Sequence, residues 1–187
     1  MNGYVRAFLT VPNAFIKLGF IKLFHPKGLK FGSLARISCR TEISMEQKSE
    51  LHIGKRFNMR SGSKIRIRKN AKLLMGNNVS ISHNCIIACH ERIEIGNDAQ
   101  IAPGVLIYDH DHDFRAEGGV KSGKYITAPV KIGNNVWIGA NTIILRGTTI
   151  GDNCVIAAGS VIKGDIPTNS IVVQKRETTI SMIGNNQ

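Results

Sequence analysis

The stretch that decides the fold is Ile132–Ile162, which reads IGNNVWIGANTIILRGTTIGDNCVIAAGSVI. An isoleucine returns at every sixth residue, at Ile132, Ile138, Ile144, Ile150, Ile156 and Ile162. Four residues after each isoleucine stands a side chain that is mostly small or β-branched: Val136, Thr142, Thr148, Cys154, Ser160 and Ile166. This period fits neither an α-helix nor a long alternating strand. It is typical of short strands and turns that repeat around a prism, whose coils bury their apolar sides by stacking.

The same period continues upstream with more departures, in the blocks 53–65, 75–87 and 95–107. The frame shifts at 71–74 and 91–94, which we interpret as slightly long corners. Asparagine and aspartate pairs tolerate left-handed backbone angles, glycines relax a corner further, and stacked asparagines can form side-chain hydrogen bonds. The corners are therefore assigned to Asn77-Asn78, Asn134-Asn135 and Asp152-Asn153, with Gly76, Gly96, Gly133 and Gly151. The sequence predicts an all-β parallel β-helix over residues 51–169.

Positive charge is concentrated in the N-terminal part of the chain. Residues 1–72 hold 16 Lys and Arg against 3 Asp and Glu, whereas the remainder holds 9 against 10. The apolar run 14–24 is interrupted by Lys17 and Lys22, so it is too short for a membrane span and lacks the form of a signal peptide. Residues 1–50 are predicted to be a basic, partly apolar segment with a short helix. It either caps the β-helix or lies on an anionic membrane surface. Residues 170–187 are predicted to be a tail.

The remaining composition restricts compartment and partners. The four cysteines lack a metal-knuckle spacing, and Cys85 and Cys154 fall on the inward repeat position. We therefore expect packing roles, a reducing cytoplasm, and either a free cytoplasmic protein or one peripheral on the inner membrane face. Nucleic acid is not expected as a partner, because the basic segment lacks interleaved stacking aromatics.

The repeats at 132–141 and 157–162 resemble the hexapeptide-repeat acyltransferases. The resemblance covers about residues 51–169 and is strongest to the galactoside and maltose O-acetyltransferase branch, including enzymes of bacterial surface-polysaccharide clusters. It implies a left-handed β-helix, a homotrimer with sites between subunits, and acetyl-CoA as co-substrate. The expected reaction is acetylation of a sugar hydroxyl in O-antigen, lipopolysaccharide or capsule polysaccharide biosynthesis. The acceptor is expected to be a lipid-linked or nucleotide-linked carbohydrate.

The repeat breaks once, between Ile107 and Ile132, which predicts an extruded loop at about 108–131 that opens as YDHDHDF. In an extended stretch the histidines face one side and the aspartates the other. Neighbouring carboxylates make a histidine a stronger base, because they stabilise its imidazolium form. Transfer of an acyl group to a hydroxyl requires such a base to remove the hydroxyl proton. The resemblance places the catalytic histidine in this loop, at His112 by ungapped counting, with His110 as the rival. The histidine that is not the base is expected to orient it or to contact the sugar.

The resemblance also implies binding residues. The donor groove is assigned to Trp137, Gly139, Ala140, Ala158, Gly159 and Lys163. The Gly-x-Pro-Ala loop that relatives carry near the C-terminus is missing, and Lys175 and Arg176 are expected to meet the CoA phosphates instead. The acceptor site is assigned to Ser82, Asn84, His90 and Asp111, with Ser82, His83, Asn84 and His90 facing the loop across a subunit boundary.

Two other functions stay open. The first is N-acetylation of an amino sugar nucleotide with the same loop base. The second, which is less favoured, is a metal β-helix similar to the γ-class carbonic anhydrases, if His83, His90, His110 and His112 converge. The histidine spacing does not match the anhydrase triad, and no metal is expected.

Overall fold

The computed structural model describes residues 3–180, with side chains from residue 10 onward. Short parallel strands stack into three sheets, which we call faces 1, 2 and 3. The chain visits the faces in the order 1, 2, 3 and then starts again, which gives six complete coils and two sides of a seventh. This architecture confirms the predicted left-handed parallel β-helix.

The three faces have these strands. Face 1 contains Leu29–Phe31, Glu50–Ile53, Lys72–Met75, Arg92–Ile95, Val130–Ile132, Thr149–Ile150 and Asp165–Ile166. Face 2 contains Arg36–Ile37, Asn58–Met59, Ser80–Ile81, Gln100–Ile101, Trp137–Ile138, Val155–Ile156 and Ile171–Val172. Face 3 contains Glu42–Met45, Lys64–Ile67, Ile86–Cys89, Leu106–Tyr108, Ile143–Ile144 and Val161–Ile162.

The six-residue isoleucines form the core, as predicted. Ile132, Ile138, Ile144, Ile150, Ile156 and Ile162 are all buried. The side chain at the second repeat position also points inward. Serine and threonine are tolerated there because their hydroxyls donate hydrogen bonds to backbone carbonyls of the corners. The hydroxyl of Thr148 donates to the carbonyl of Leu145 at 2.7 Å, and that of Ser160 donates to Ala157 at 2.7 Å. Cys85 and Cys154 are buried, which confirms their packing position.

The N-terminal coils are longer than the hexapeptide coils. Leu51 lies beside Leu73, 22 residues later, whereas Ile132 lies beside Ile150, 18 residues later. The extra residues lengthen the strands on faces 1 and 3 to four residues, with two inward side chains in each of Glu50–Ile53 and Lys72–Met75. The interpretation of the frame shifts at 71–74 and 91–94 as long corners is therefore wrong. Their residues extend strands that bury additional side chains.

The corners between faces 1 and 2 carry the predicted asparagine ladder. The backbone N–H of Asn77 donates to Oδ1 of Asn97, and the N–H of Asn97 donates to Oδ1 of Asn134, both at 2.8 Å. Asn78, Asn135 and Asn153 adopt positive φ angles. The glycines that precede these corners were predicted to relax the backbone there, but none of Gly76, Gly96, Gly133 and Gly151 has a positive φ angle. A Cβ on Gly133 would lie 2.4 Å from Oδ1 of Asp152, so glycine permits close stacking.

The β-helix begins earlier than predicted. Its first strand is Leu29–Phe31, whereas the sequence boundary was placed at residue 51. The left-handed corner residue between faces 1 and 2 is Leu34 in the first coil, with φ 60°, and Arg56 in the second, whereas the later coils use Asn or Asp. The helix Gly3–Phe24 packs Ala14 and Leu18 against this coil. No helix in the described part of the chain is long and apolar enough to span a membrane. The end of the predicted tail, 181–187, and the side chain of Arg6 lie outside the described residues.

Candidate functional site

Two edges of the prism border face 3, and they hold most of the predicted site residues. The loop edge joins face 3 to face 1 and comprises residues 46–49, 68–71, 90–91, 109–129, 145–148 and 163–164. The small-residue edge joins face 2 to face 3 and comprises residues 82–85, 102–105, 139–142 and 157–160. Face 3 lies between the two edges.

The predicted loop is extruded from the loop edge as a β-hairpin. His110–His112 pairs antiparallel with Tyr125–Thr127, and the turn between them contains the 3-10 helix Gly119–Ser122. His112 lies directly opposite Tyr125 in this pairing. The coil resumes on face 1 with Val130–Ile132. The hairpin gives the His–Asp motif a defined strand conformation.

Three histidines gather around one tyrosine on the loop edge. The ring of Tyr125 lies 4.4 Å from His90, 5.4 Å from His110 and 4.7 Å from His112, measured between centroids. The rings of His90 and His110 stack in parallel with centroids 3.4 Å apart. His110 is nearly buried, whereas His112 is exposed at the outer side of the cluster. His112 is therefore the loop histidine that is open to an incoming molecule.

Asp109 fixes this cluster to the body of the protein. Its side chain is fully buried, and its carboxylate accepts backbone N–H groups from His90, Glu91 and Arg92, each at 2.8 Å. Its Oδ1 also lies 3.3 Å from Nδ1 of His110. A carboxylate that accepts several amides is held ionised even when buried. Asp109 thus joins the start of the hairpin to the corner of the preceding coil.

Charge in the cluster follows from burial and these bonds. Burial opposes ionisation of Asp109, but hydrogen bonds from His110 and from the His90 and Glu91 amides outweigh it and lower the pKa of that carboxyl. Burial, followed by the proximity of His110, lowers the pKa of His90 to about 4. Burial and then the Asp109 charge raise the pKa of Cys89, whose thiol donates to that carboxylate. At neutral pH His90 is therefore uncharged, and Cys89 is a thiol.

Two arginines complete the loop edge. Nε of Arg146 donates to Oδ2 of Asp111 at 2.5 Å and ties the hairpin to the next coil. Arg68 donates to Oε1 of Glu46 at 2.5 Å, which lowers the pKa of Glu46. Arg68 also interacts with Tyr125. Arg68 therefore adjoins the histidine cluster through Tyr125, and Arg146 holds the strand that carries His110 and His112.

The small-residue edge contains the core of the predicted donor groove. Gly139, Ala140, Ala158 and Gly159 stack in adjacent coils, and the N–H of Gly159 donates to the carbonyl of Ala140 at 2.7 Å. A Cβ on Gly139 would lie 2.5 Å from the backbone nitrogen of Ala158, so only glycine fits there. Trp137 stands beside this edge on face 2 and is 56% exposed. This edge is therefore a surface of glycine and alanine residues next to the exposed ring of Trp137.

The three basic donor residues divide between the edges. The guanidinium of Arg176 donates to the carbonyl of Gly159 and therefore lies on the small-residue edge. Lys175 is exposed beside it in the chain. Lys163 follows Val161–Ile162 and lies on the loop edge, separated by face 3 from Gly159. One chain therefore does not bring Lys163 together with the other donor-groove residues.

The predicted acceptor residues also divide. Ser82 and Asn84 lie on the small-residue edge with His83, two coils before Gly139. Asp111 and His90 lie on the loop edge. The prediction that His90 faces the loop across a subunit boundary is wrong, because its ring stacks on His110 of its own chain. The physical reason is that one coil of the prism brings residue 90 directly beneath the base of the hairpin.

Two important residues were missed by sequence reasoning. Tyr125 lies far from the His–Asp motif in sequence and becomes its neighbour only through the hairpin register. Asp109 was grouped with the other aspartates of the motif, although it faces the interior. The inward repeat parity, which continues from Ile107 to residue 109, is the signal that could have identified it. Among residues 10–180, no group of three or more His, Cys, Asp or Glu side chains is arranged to hold a metal ion.

Comparison with known proteins places this architecture in a family. Residues 129–164 match the family described as bacterial transferase hexapeptide (six repeats). The chain is 31% identical over 130 residues to the putative lipopolysaccharide biosynthesis O-acetyl transferase WbbJ of Escherichia coli K12, covering 65% of this chain and 66% of that protein. The chain belongs to the hexapeptide-repeat transferase family.

Within that family, the chain is similar to O-acetyltransferases. It is 40% identical over 97 residues to galactoside O-acetyltransferase of Escherichia coli K12, covering 52% of this chain. The match spans 47% of that relative, so the chain aligns with about half the length of this relative. A solved galactoside acetyltransferase in complex with coenzyme A superposes with a TM-score of 0.54 at 26% identity, covering 86% of this chain and 76% of that one.

Proposed function

We propose that this protein is an acetyl-CoA-dependent O-acetyltransferase that acetylates a sugar hydroxyl, with His112 as general base. The observation that carries the proposal is the histidine hairpin, which interrupts the coils of a hexapeptide-repeat transferase at one edge. Similarity to galactoside O-acetyltransferase and to a solved enzyme with coenzyme A supports the acyl donor and the acceptor class. Similarity to the WbbJ protein supports a role in bacterial surface-polysaccharide biosynthesis.

His112 is proposed as the base because its ring is exposed while its strand is held in place. Its imidazole would remove the proton from the acceptor hydroxyl as the oxygen attacks the thioester carbonyl. The tetrahedral intermediate then collapses, the carbon–sulfur bond breaks, and the departing thiolate takes the proton back from the imidazolium. Backbone N–H groups of the donor groove are suited to bind the developing oxyanion. No metal takes part in this scheme.

The division of residues between two edges supports a homotrimer. His112 and Gly159 lie at opposite borders of face 3, so one chain presents them on two different edges of the prism. In a ring of parallel prisms, the loop edge of one copy can meet the small-residue edge of the next. Acetyl-CoA would then lie between two copies, with Trp137, Ala158 and Gly159 from one of them. Lys175 and Arg176 remain proposed contacts for the CoA phosphates.

The carbohydrate would approach the same junction from the other coils. Ser82 and Asn84 are proposed to contact it from the small-residue edge, and Asp111 from the loop edge. His90 is proposed to support the site through its stack with His110. The carrier of the sugar, lipid or nucleotide, is to be decided by offering both forms as acceptors. The protein is proposed to act in the cytoplasm, where acetyl-CoA is available.

The proposal is tested by measuring CoA thiol release from acetyl-CoA with a panel of galactosides, maltose, nucleotide sugars and lipid-linked saccharides. Loss of a general base typically costs about 10²–10⁴-fold, so His112→Ala is expected to lower kcat by that range. His52→Ala, on the outer surface of face 1, is the matched control and should keep full activity. Base-labile acetylation of the product identifies an ester and excludes the N-acetyl alternative.

His110→Ala separates the two loop histidines. One observation favours His110 as the base, namely the 3.3 Å contact between its Nδ1 and the buried Asp109. If His110→Ala abolishes turnover and His112→Ala has only a small effect, His110 is the base. If neither substitution lowers turnover, the hairpin is not the catalytic centre and the proposed function is wrong.

A further inference from the structure

The N-terminal helix Gly3–Phe24 crosses the end of the β-helix with its polar side chains turned inward. Three side-chain donors bind backbone carbonyls of the first coil: Asn13 to Ile37 at 2.8 Å, Lys17 to Thr41 at 2.6 Å and Lys22 to Leu29 at 2.5 Å. The end coil of a solenoid lacks a neighbour for such carbonyls, so these bonds satisfy them. Both lysines of the described helix are thereby committed to the protein.

The outward side of the same helix is apolar. Its large exposed side chains, with their exposed fractions, are Phe15 (55%), Ile16 (73%), Phe20 (65%), Leu23 (74%) and Phe24 (64%). Residues 16, 20, 23 and 24 follow the spacing of one helical face. A helix on a water-facing surface normally turns its charged side outward. This helix does the reverse, so its outer face is suited to contact with an apolar phase.

Exposed basic residues lie in the coil that carries this helix and in the segment that leads into it. Lys27, Lys30, Arg36 and Arg40 are exposed, and none of them forms a salt bridge with a carboxylate among the described residues. Three of them adjoin the contact points of the helix, since Lys30 follows Leu29, Arg36 precedes Ile37 and Arg40 precedes Thr41. The first acidic residue, Glu42, is engaged by Lys64 and Arg66 of the next coil. This end of the prism is therefore an apolar ridge within a basic rim.

We propose that this end docks on an anionic phospholipid bilayer, with the helix lying flat among the headgroups and its outer side chains at the acyl boundary. An apolar helix face combined with nearby basic residues is the pattern that binds such a surface. The helix is not suited to spanning the bilayer. A second copy meeting the same surface would bring two basic rims together, so charge complementarity favours the anionic lipid. The proposal does not depend on the enzymatic activity.

Flotation of the full-length protein with vesicles tests this docking. Wild type is expected to float with vesicles of phosphatidylcholine and phosphatidylglycerol, less with phosphatidylcholine alone, and less again at high salt. The triple variant Phe20→Ser, Leu23→Ser, Phe24→Ser is expected to bind at least about tenfold more weakly. Exchanging Lys27, Lys30, Arg36 and Arg40 for Gln should weaken binding by about three orders of magnitude. A matched control exchanges three exposed apolar residues elsewhere, Val120, Ile171 and Val173, for Ser and should bind as wild type.

Three results would overturn the proposal. Wild type could fail to float, could bind neutral and anionic vesicles equally, or could lose binding as much in the control as in the helix variant. Self-association that the triple-serine variant abolishes would show that a second copy covers the ridge. Circular dichroism checks folding, and if the triple variant does not fold, the charge variant decides alone, because its residues are exposed and form no salt bridge within residues 10–180. Turnover is not used, so failure here is distinct from failure of the proposed activity.

Discussion

The two edges of face 3 are built from opposite kinds of residues. The loop edge carries histidines, Tyr125, carboxylates and arginines. The histidines lie around the Tyr125 ring, and the fully buried carboxylate of Asp109 holds them to the body of the protein. The small-residue edge offers glycine, alanine and backbone groups beside an exposed tryptophan. One edge is suited to proton transfer and the other to accommodating an extended ligand. Because a rigid prism keeps the two edges apart, we propose that a working site forms between two copies of the chain.

Mixed assemblies give the largest expected effect. His112→Ala damages the loop edge, and Ala158→Trp fills the small-residue edge, so each variant alone should have only background activity. In every trimer that contains both variants, one of the three interfaces pairs an intact loop with an intact small-residue edge. CoA release by assemblies purified through both variants should therefore recover to about a third of the wild-type rate.

The recovery discriminates between sites shared by two copies and sites within one chain. Differently tagged variants are co-expressed, and sequential purification on both tags proves that mixed assemblies have formed. Activity no higher than the sum of the separate variants would show that both edges of one chain serve one site. The shared-site interpretation would then be wrong.

The next largest effect is expected from a matched pair of substitutions, Asp109→Asn and Asp111→Asn. Asp109→Asn places an amide group where three backbone N–H donors converge, and we expect a loss of roughly 2–4 kcal/mol in the free energy of unfolding. Asp111→Asn breaks a partly exposed ion pair with Arg146, for which roughly 1 kcal/mol is expected. Denaturant unfolding measures both. Equal losses would show that the buried carboxylate does not fasten the hairpin.

The smallest effect is a pH dependence from His90. Its pKa in the folded protein is about 4, below its ordinary value, so the unfolded chain binds a proton on this residue before the folded one does. The contribution of His90 to stability is thus complete above about pH 6.5 and declines as the pH falls towards 4. His90→Gln should remove this part of the slope in thermal melts between these limits. Parallel wild-type and variant curves would contradict the assignment.

Much of the fold was predictable because each coil repeats one local rule. The isoleucines of 132–162, the inward hydroxyls and the asparagine ladder follow from a six-residue period that does not require distant contacts. The N-terminal coils were harder, because four-residue strands change the period to 22 residues. The start at Leu29 was missed in the same way, since Leu29 lies beside Leu51 at the 22-residue spacing and the corner between faces 1 and 2 of this coil is Leu34.

Less of the site was predictable. The sequence located the hairpin and both loop histidines because they interrupt the period. It did not separate Lys163 from Gly159 or place His90 against His110, since the corner on which a residue falls depends on the length of every preceding strand. Tyr125 entered the cluster only through the register of the hairpin.

The sequence by itself determined the repeating coil, the inward residues and the position of the one large interruption, because these depend on near neighbours in the chain. Only the tertiary structure decided which side chains share an edge. It sent Asp109 inward and His112 outward, and it turned the lysines of the first helix towards the coil and its phenylalanines away from it. The reason is that stacking joins residues 16–37 positions apart, and the local period does not encode the final register of those contacts.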